Sequence, residues 1–210
     1  MNEPLLTTRR LDTPVTPASF DDKTRSVKVI AATERPILRH DPEYDIFINM
    51  ISLVSGVRLP PSGQVPLLDS HNWTSVSSVL GSVRNFEVRD QMLVCDVFFS
   101  GTADGREAAQ KVREGHLTDF SVSFEWVLKD SYVIPEGKTE NVNGQTVPGP
   151  TRIIKVWYLL ELSITPIGAN EDAKPVFSPE PQQERRQIAD ILFFTFTAYI
   201  LIFFLLKAIF

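Results

Sequence analysis

Three histidines (His40, His71 and His116) and a single cysteine, Cys95, occur in the 210-residue chain. Acid–base or nucleophilic chemistry must therefore be built around very few side chains. His71 closes a short apolar run, Val65-Pro66-Leu67-Leu68-Asp69-Ser70-His71. His40 precedes Asp41-Pro42, and His116 follows Gly115 at the end of a helix-like segment, where a polar cap is routine. An imidazole acts as a general base when a nucleophile meets one ring nitrogen and an orienting group holds the other. In Asp119-Phe120-Ser121-Val122-Ser123-Phe124-Glu125, alternation puts Ser121 on the polar face of a strand with Asp119, Ser123 and Glu125, opposite Phe120, Val122 and Phe124. In Tyr158-Leu159-Leu160-Glu161-Leu162-Ser163-Ile164, Glu161 and Ser163 share one face and Leu160, Leu162 and Ile164 the other. Taken singly, each has a bland alternative: a loop histidine, a solvated strand face, a lone carboxylate. Cys95, within Leu93-Val94-Cys95-Asp96-Val97, reads as a core thiol rather than a nucleophile. No HExxH or other close ligand spacing occurs, so neither a metal nor a cofactor is expected.

The elements that must position these side chains are mostly strands. Ser26–Ala32 is the first strand-like run, and residues 1–24 read as a flexible leader. Residues 34–62 are irregular, and the apolar stretch Ile46–Val57 fits a strand or a short helix equally. Val79–Val88 and Met92–Phe99 flank Arg89-Asp90-Gln91 as a β-hairpin. Asp104–Glu114 is the one clear helix, with Asp104 as its cap and Gly115 as a left-handed stop. Leu117–Leu128 alternates as a strand, and residues 129–150, rich in Gly, Pro and Asn, read as a long loop. Arg152–Thr165 is a strand or strand pair. Short strands with one helix between them predict a mainly β (α+β) fold, a closed or nearly closed antiparallel barrel.

The C-terminus differs in kind. Residues 191–210, ILFFTFTAYILIFFLLKAIF, hold six of the 14 Phe and only Lys207 as a charge. At 1.5 Å per residue such a helix spans about 30 Å, the thickness of a hydrocarbon core. This apolar helical tail has three readings: a membrane anchor, a segment removed by cleavage in the linker over residues 176–190, or a stretch without function. The net charge of −5 argues against a nucleic-acid partner. One Cys excludes a disulfide framework, and Met1–Phe20 shows no secretory signal, so a cytoplasmic protein is expected.

Taken in order along the chain, these segments resemble the prohead (procapsid maturation) serine proteases of tailed phages, related in fold to the herpesvirus assembly proteases. The resemblance rests on VPLLDSH (Val65–His71), LGSVRNFEVRDQMLVCDVFF (Leu80–Phe99), AAQKVREGHLTDFSVSF (Ala108–Phe124) and ELSITPIGANEDA (Glu161–Ala173), and it spans residues 25–175. It departs from the family at Asn72, where an Asp is usual, and at Phe120, where a Gly is usual. The resemblance implies a barrel of the herpesvirus-protease type with His71 as base, Ser121 as nucleophile and Glu161 as the third member. Asp69 and His116 are alternatives for that third role. It also implies an enzyme inside the procapsid in the host cytoplasm that cleaves scaffold, the N-terminal scaffolding part of the major capsid protein, and itself. A homodimer stays open. The rival reading is a non-enzymatic β-domain, anchored to a membrane by residues 191–210, that binds or scaffolds a partner.

Overall fold

The computed structural model describes residues 19–176. The leader over residues 1–18 and the linker and apolar tail beyond 176 lie outside the described residues. Among those described, no helix is long and apolar enough to cross a membrane.

The fold is mainly β. The strands are β1 (Ser26–Thr33), β2 (Ile37–Asp41), β3 (Ile46–Ser52), β4 (Val57–Arg58), β5 (Val65–Asp69), β6 (Val79–Arg89), β7 (Met92–Phe99), β8 (Asp119–Trp126), β9 (Ser131–Ile134), β10 (Thr139–Val142), β11 (Gln145–Pro148), β12 (Thr151–Ile154) and β13 (Trp157–Thr165). A single α-helix, α1 (Ala103–Arg113), joins β7 to β8. A seven-stranded sheet runs β1-β7-β6-β5-β13-β4, with β8 along the other edge of β13. It curls into a half-barrel and does not close, where strand spacing predicts a closed or nearly closed antiparallel barrel. It is also mixed, because β13 runs parallel to both β4 and β5. The edges β1 and β8 are bridged by the chain that follows β13. Ile30 N–H donates to Lys174 O, Val176 N–H to Lys28 O, and Phe120 N–H to Ala173 O. A returning segment thus covers the edges that full closure would have removed.

The core sits inside the curl. Val29, Leu67, Val83, Cys95, Val97, Phe120, Trp157 and Leu162 are fully buried there, with Val112 of α1 packed against them. The β6–β7 hairpin forms around Asp90 and Gln91, both at positive φ, as its turn signal predicts. Gly81 lets β6 and β7 approach closely, since a Cβ there would meet Phe98 O at 2.0 Å. The helix is capped two residues earlier than its acidic residue suggests: Thr102 Oγ1 accepts from Gly105 N–H, and Asp104 lies within the first turn. Gly115, at φ 77°, ends it.

A second, four-stranded sheet is ordered β2-β3-β12-β9. Its satellite core is Ile51, Ile134, Val142, Val147 and Ile153. Ile46–Ser52 is therefore strand, not helix. Residues 129–150, expected to be loop, hold β9 and the β10–β11 hairpin; Val142 and Val147 alone anchor that hairpin, too few apolar residues for a periodic signal.

Candidate active site

The site forms where β5, β13 and β8 lie side by side. The β13–β8 ladder sets Glu161 opposite Ser123 and Ser163 opposite Ser121, and β5 sets Leu68 beside Ser163 on the other flank. Directly paired residues share a face, so Ser121, Ser123, Glu161 and Ser163 form one polar patch backed by Phe120, Leu162 and Leu67. β5 ends at Asp69 and enters a tight turn in which Ser70 and His71 both have positive φ, 48° and 58°. Asn72 N–H donates to Asp69 O, closing the turn, and Ser70 N–H donates to Ile164 O of β13. Two consecutive non-glycine residues in the left-handed region carry strain of order 1 kcal/mol each. The turn swings the His71 ring back over β13.

Glu161 receives that ring. Its Oε1 lies 2.6 Å from His71 Nδ1, and its Oε2 accepts the Ser163 hydroxyl at 2.7 Å. Ser163 Oγ in turn accepts His71 N–H at 2.9 Å, so one hydroxyl ties the turn and the carboxylate together. Glu161 is 2 % exposed, whereas the His71 side chain is 37 % exposed. A carboxylate only accepts, which puts the proton on Nδ1 and leaves Nε2 with a free lone pair. No protein group bonds Nε2 among the described residues.

Ser123 Oγ also lies 3.0 Å from Nδ1. With Nδ1–H directed at Glu161, Ser123 is a second acceptor on the same hydrogen, and its contact is not that of a hydroxyl handing a proton to a base. Ser121 is buried one step along β8 and makes no hydrogen bond to His71. The structure therefore brings His71 and Glu161 together, adds Ser123 to them, and leaves Ser121 next to this group without direct contact. Neither alternative third member touches the ring. Asp69 accepts the Ser70 hydroxyl at 2.8 Å, and His116 is exposed, 3.7 Å from Glu114. His40 is on the other sheet, paired with Asp45 at 2.8 Å. Cys95 is wholly buried, and burial pushes its thiol far above its ordinary range, so it is no nucleophile.

Beside the patch opens a cleft of about 530 Å³, walled by Leu68, Trp73, Val76, Val79 and Leu160, with Glu161 and Glu125 on its surface. An apolar groove leading to a base–carboxylate pair next to strand-borne serines suits hydrolysis of an extended peptide.

Comparison with protein families gives one match, the caudovirus prohead serine protease family, over residues 54–185. That is most of the chain and includes His71, Ser121, Ser123 and Glu161. The chain belongs to this family. No curated protein and no solved structure matches it. At the level of the family it is a serine protease of capsid maturation, which favours an enzyme over the rival binding domain. Two features of this prohead protease's site carried little sequence signal. Ser163 could have been suspected from Glu-x-Ser on one strand face. The contact of Ser123 depends on how far the His71 turn reaches over β13, which no local pattern encodes.

Proposed function

We propose that this prohead protease is a serine endopeptidase in which His71 is the general base, Glu161 orients it and Ser121 is the nucleophile. The observation that supports this most is the 2.6 Å contact between His71 Nδ1 and buried Glu161, which leaves Nε2 free as a base. Ser121 is favoured over Ser123 because Ser123 meets the nitrogen that already carries the proton, and because the resemblance of Ala108–Phe124 to the family implies Ser121 as the nucleophile. Nε2 takes the Ser121 Oγ proton as Oγ attacks the scissile carbonyl carbon, and Glu161 stabilises the resulting imidazolium. Nε2–H then passes the proton to the leaving amine, and the C–N bond breaks to give an acyl-serine. Water attacks that ester with His71 again as base, the acid product leaves and Ser121 regains its proton.

The substrates we propose, by the family resemblance, are scaffold, the N-terminal scaffolding part of the major capsid protein, and the protease itself, cut inside the procapsid. A fluorophosphonate probe and co-expression with capsid protein test the assignment. Ser121→Ala is expected to abolish labelling and cleavage, and Ser123→Ala to keep labelling. The 3.0 Å Ser123 contact favours a second reading, with Ser123 as nucleophile after the ring turns over. Labelling lost in Ser123→Ala but kept in Ser121→Ala establishes that reading. Labelling and cleavage that survive in both variants refute a serine protease mechanism on β8.

A further inference from the structure

The 530 Å³ cleft carries a chemical signature that the catalytic assignment does not use. Its walls are Trp73, Val76, Leu68, Val79 and Leu160, and three of them, Trp73 at 59 %, Val76 at 92 % and Val79 at 39 % exposed, leave an apolar wall open to solvent. No Lys or Arg lines the cleft. Of its two carboxylates, Glu161 has both oxygens engaged by His71 and Ser163. Glu125 is exposed and makes no hydrogen bond or ion pair among the described residues. It sits on the same β8 face as Ser121 and Ser123, opposite Tyr158 in the ladder.

We propose that Glu125 makes this cleft selective for a basic side chain, Lys or Arg, within four residues of the scissile bond. The inference rests on the protease reading above. Glu125 lies four residues along β8 from Ser121, about 13 Å at roughly 3.3 Å per residue, and an extended substrate covers that distance in about four residues. A lysine or arginine stem packs along apolar walls while its charged head remains at the carboxylate. Trp73, on the wall of the same cleft, is an aromatic partner suited to a cation. An acidic side chain in this position meets Glu125 with no cation to offset the repulsion.

The test uses the full chain, a proteome-derived peptide mixture read by mass spectrometry, and then paired lysine and norleucine peptides built on the most frequent cut sequence. Lys and Arg are expected to be enriched at one position within four residues of the cut. The lysine peptide is expected to exceed its norleucine twin by about ten-fold in kcat/KM, equivalent to a 1.4 kcal/mol difference. That ratio should shrink with added salt, which a purely structural role for Glu125 does not predict. Glu125→Gln should collapse the ratio towards one, and Glu125→Lys should shift enrichment to Asp and Glu. Cleavage without basic enrichment, a ratio unchanged in Glu125→Gln, or labelled enzyme that cuts no peptide overturns this proposal and leaves the serine assignment standing. Absence of both cleavage and fluorophosphonate labelling overturns the protease reading itself.

Discussion

Asp41 and Glu161 are both buried carboxylates, and each holds a nitrogen base from another part of its sheet. At the end of β2, Asp41 is met by the guanidinium of Arg152 on β12. Nε bonds Oδ2 and Nη2 lies 3.0 Å from Oδ1, while Glu43 N–H and Tyr44 N–H also donate to Oδ1. Arg152 also donates from Nη2 to Glu43 at 2.6 Å and from Nη1 to Ser131 at 2.9 Å, and its flat face lies against Tyr44 and Trp126. Four of its five N–H donors are thus engaged, and a guanidinium does not give up its proton. Burial alone would raise the Asp41 carboxyl, but the Arg152 hydrogen bonds and the two N–H donors hold it below the usual carboxylate range. Glu161 is just as buried, yet its partner is an imidazole with one nitrogen open towards solvent. A buried pair that cannot release a proton fixes the fold, and a pair with a free base nitrogen can do chemistry.

Breaking the two pairs should therefore register in different measurements. The largest effect is expected for His71→Ala, with a fall in cleavage rate of about 10⁴-fold or more and the fold retained. Glu161→Gln should lower kcat by about 10³- to 10⁴-fold through loss of the tautomer lock, again with a near-native melting curve. Near-normal turnover in that variant reassigns the orienting role. Asp41→Asn should behave in the opposite sense. Leaving Arg152 without its full counter-charge should cost about 3 kcal/mol in denaturant unfolding, while fluorophosphonate labelling of the folded fraction persists.

The pH response sharpens the same contrast. Because the folded Asp41 carboxyl is depressed, its contribution to stability is complete above the unfolded value near 4 and is lost as pH falls from there through the lower folded value. Acid unfolding monitored by tryptophan fluorescence should therefore lose part of its steepness below about pH 4 in Asp41→Asn. The smallest effect belongs to the strained turn. Ser70→Gly should stabilise the fold by about 0.5 kcal/mol, since glycine accepts positive φ at some entropic cost. It should also slow cleavage, because the turn that aims His71 is loosened.

Strands with a regular period were legible from the residues alone. Met92–Phe99 shows as an apolar run beside a polar turn and Asp119–Trp126 as an alternation of residue types, and Leu93, Cys95, Val97 and Phe99 of the one and Phe120 of the other meet the core of the curl. The β2–β3 and β9–β11 region was less so, because most of its strands span only four or five residues, whereas β12 falls within the strand pair expected over Arg152–Thr165. Strand number and spacing predict a closed or nearly closed barrel, but they say nothing of whether the first and last strands meet, and the large sheet stops at a half-barrel. At the site, His71, Ser121 and Glu161 were each candidates with a bland alternative, and only the family resemblance joined them into one set.

The sequence by itself determined which side chains could take part in proton transfer and which strand faces would carry them, because residue type and a period of two are local properties. Only the tertiary structure decided that Glu161, and neither Asp69 nor His116, holds the imidazole, and that Ser123 shares the same ring nitrogen. Those choices arise from β13 lying between β5 and β8, and from a turn at Ser70 and His71 held at positive φ. The contacts join residues 52 and 90 positions apart, and strand order, a property of the whole chain, brings them within hydrogen-bond reach.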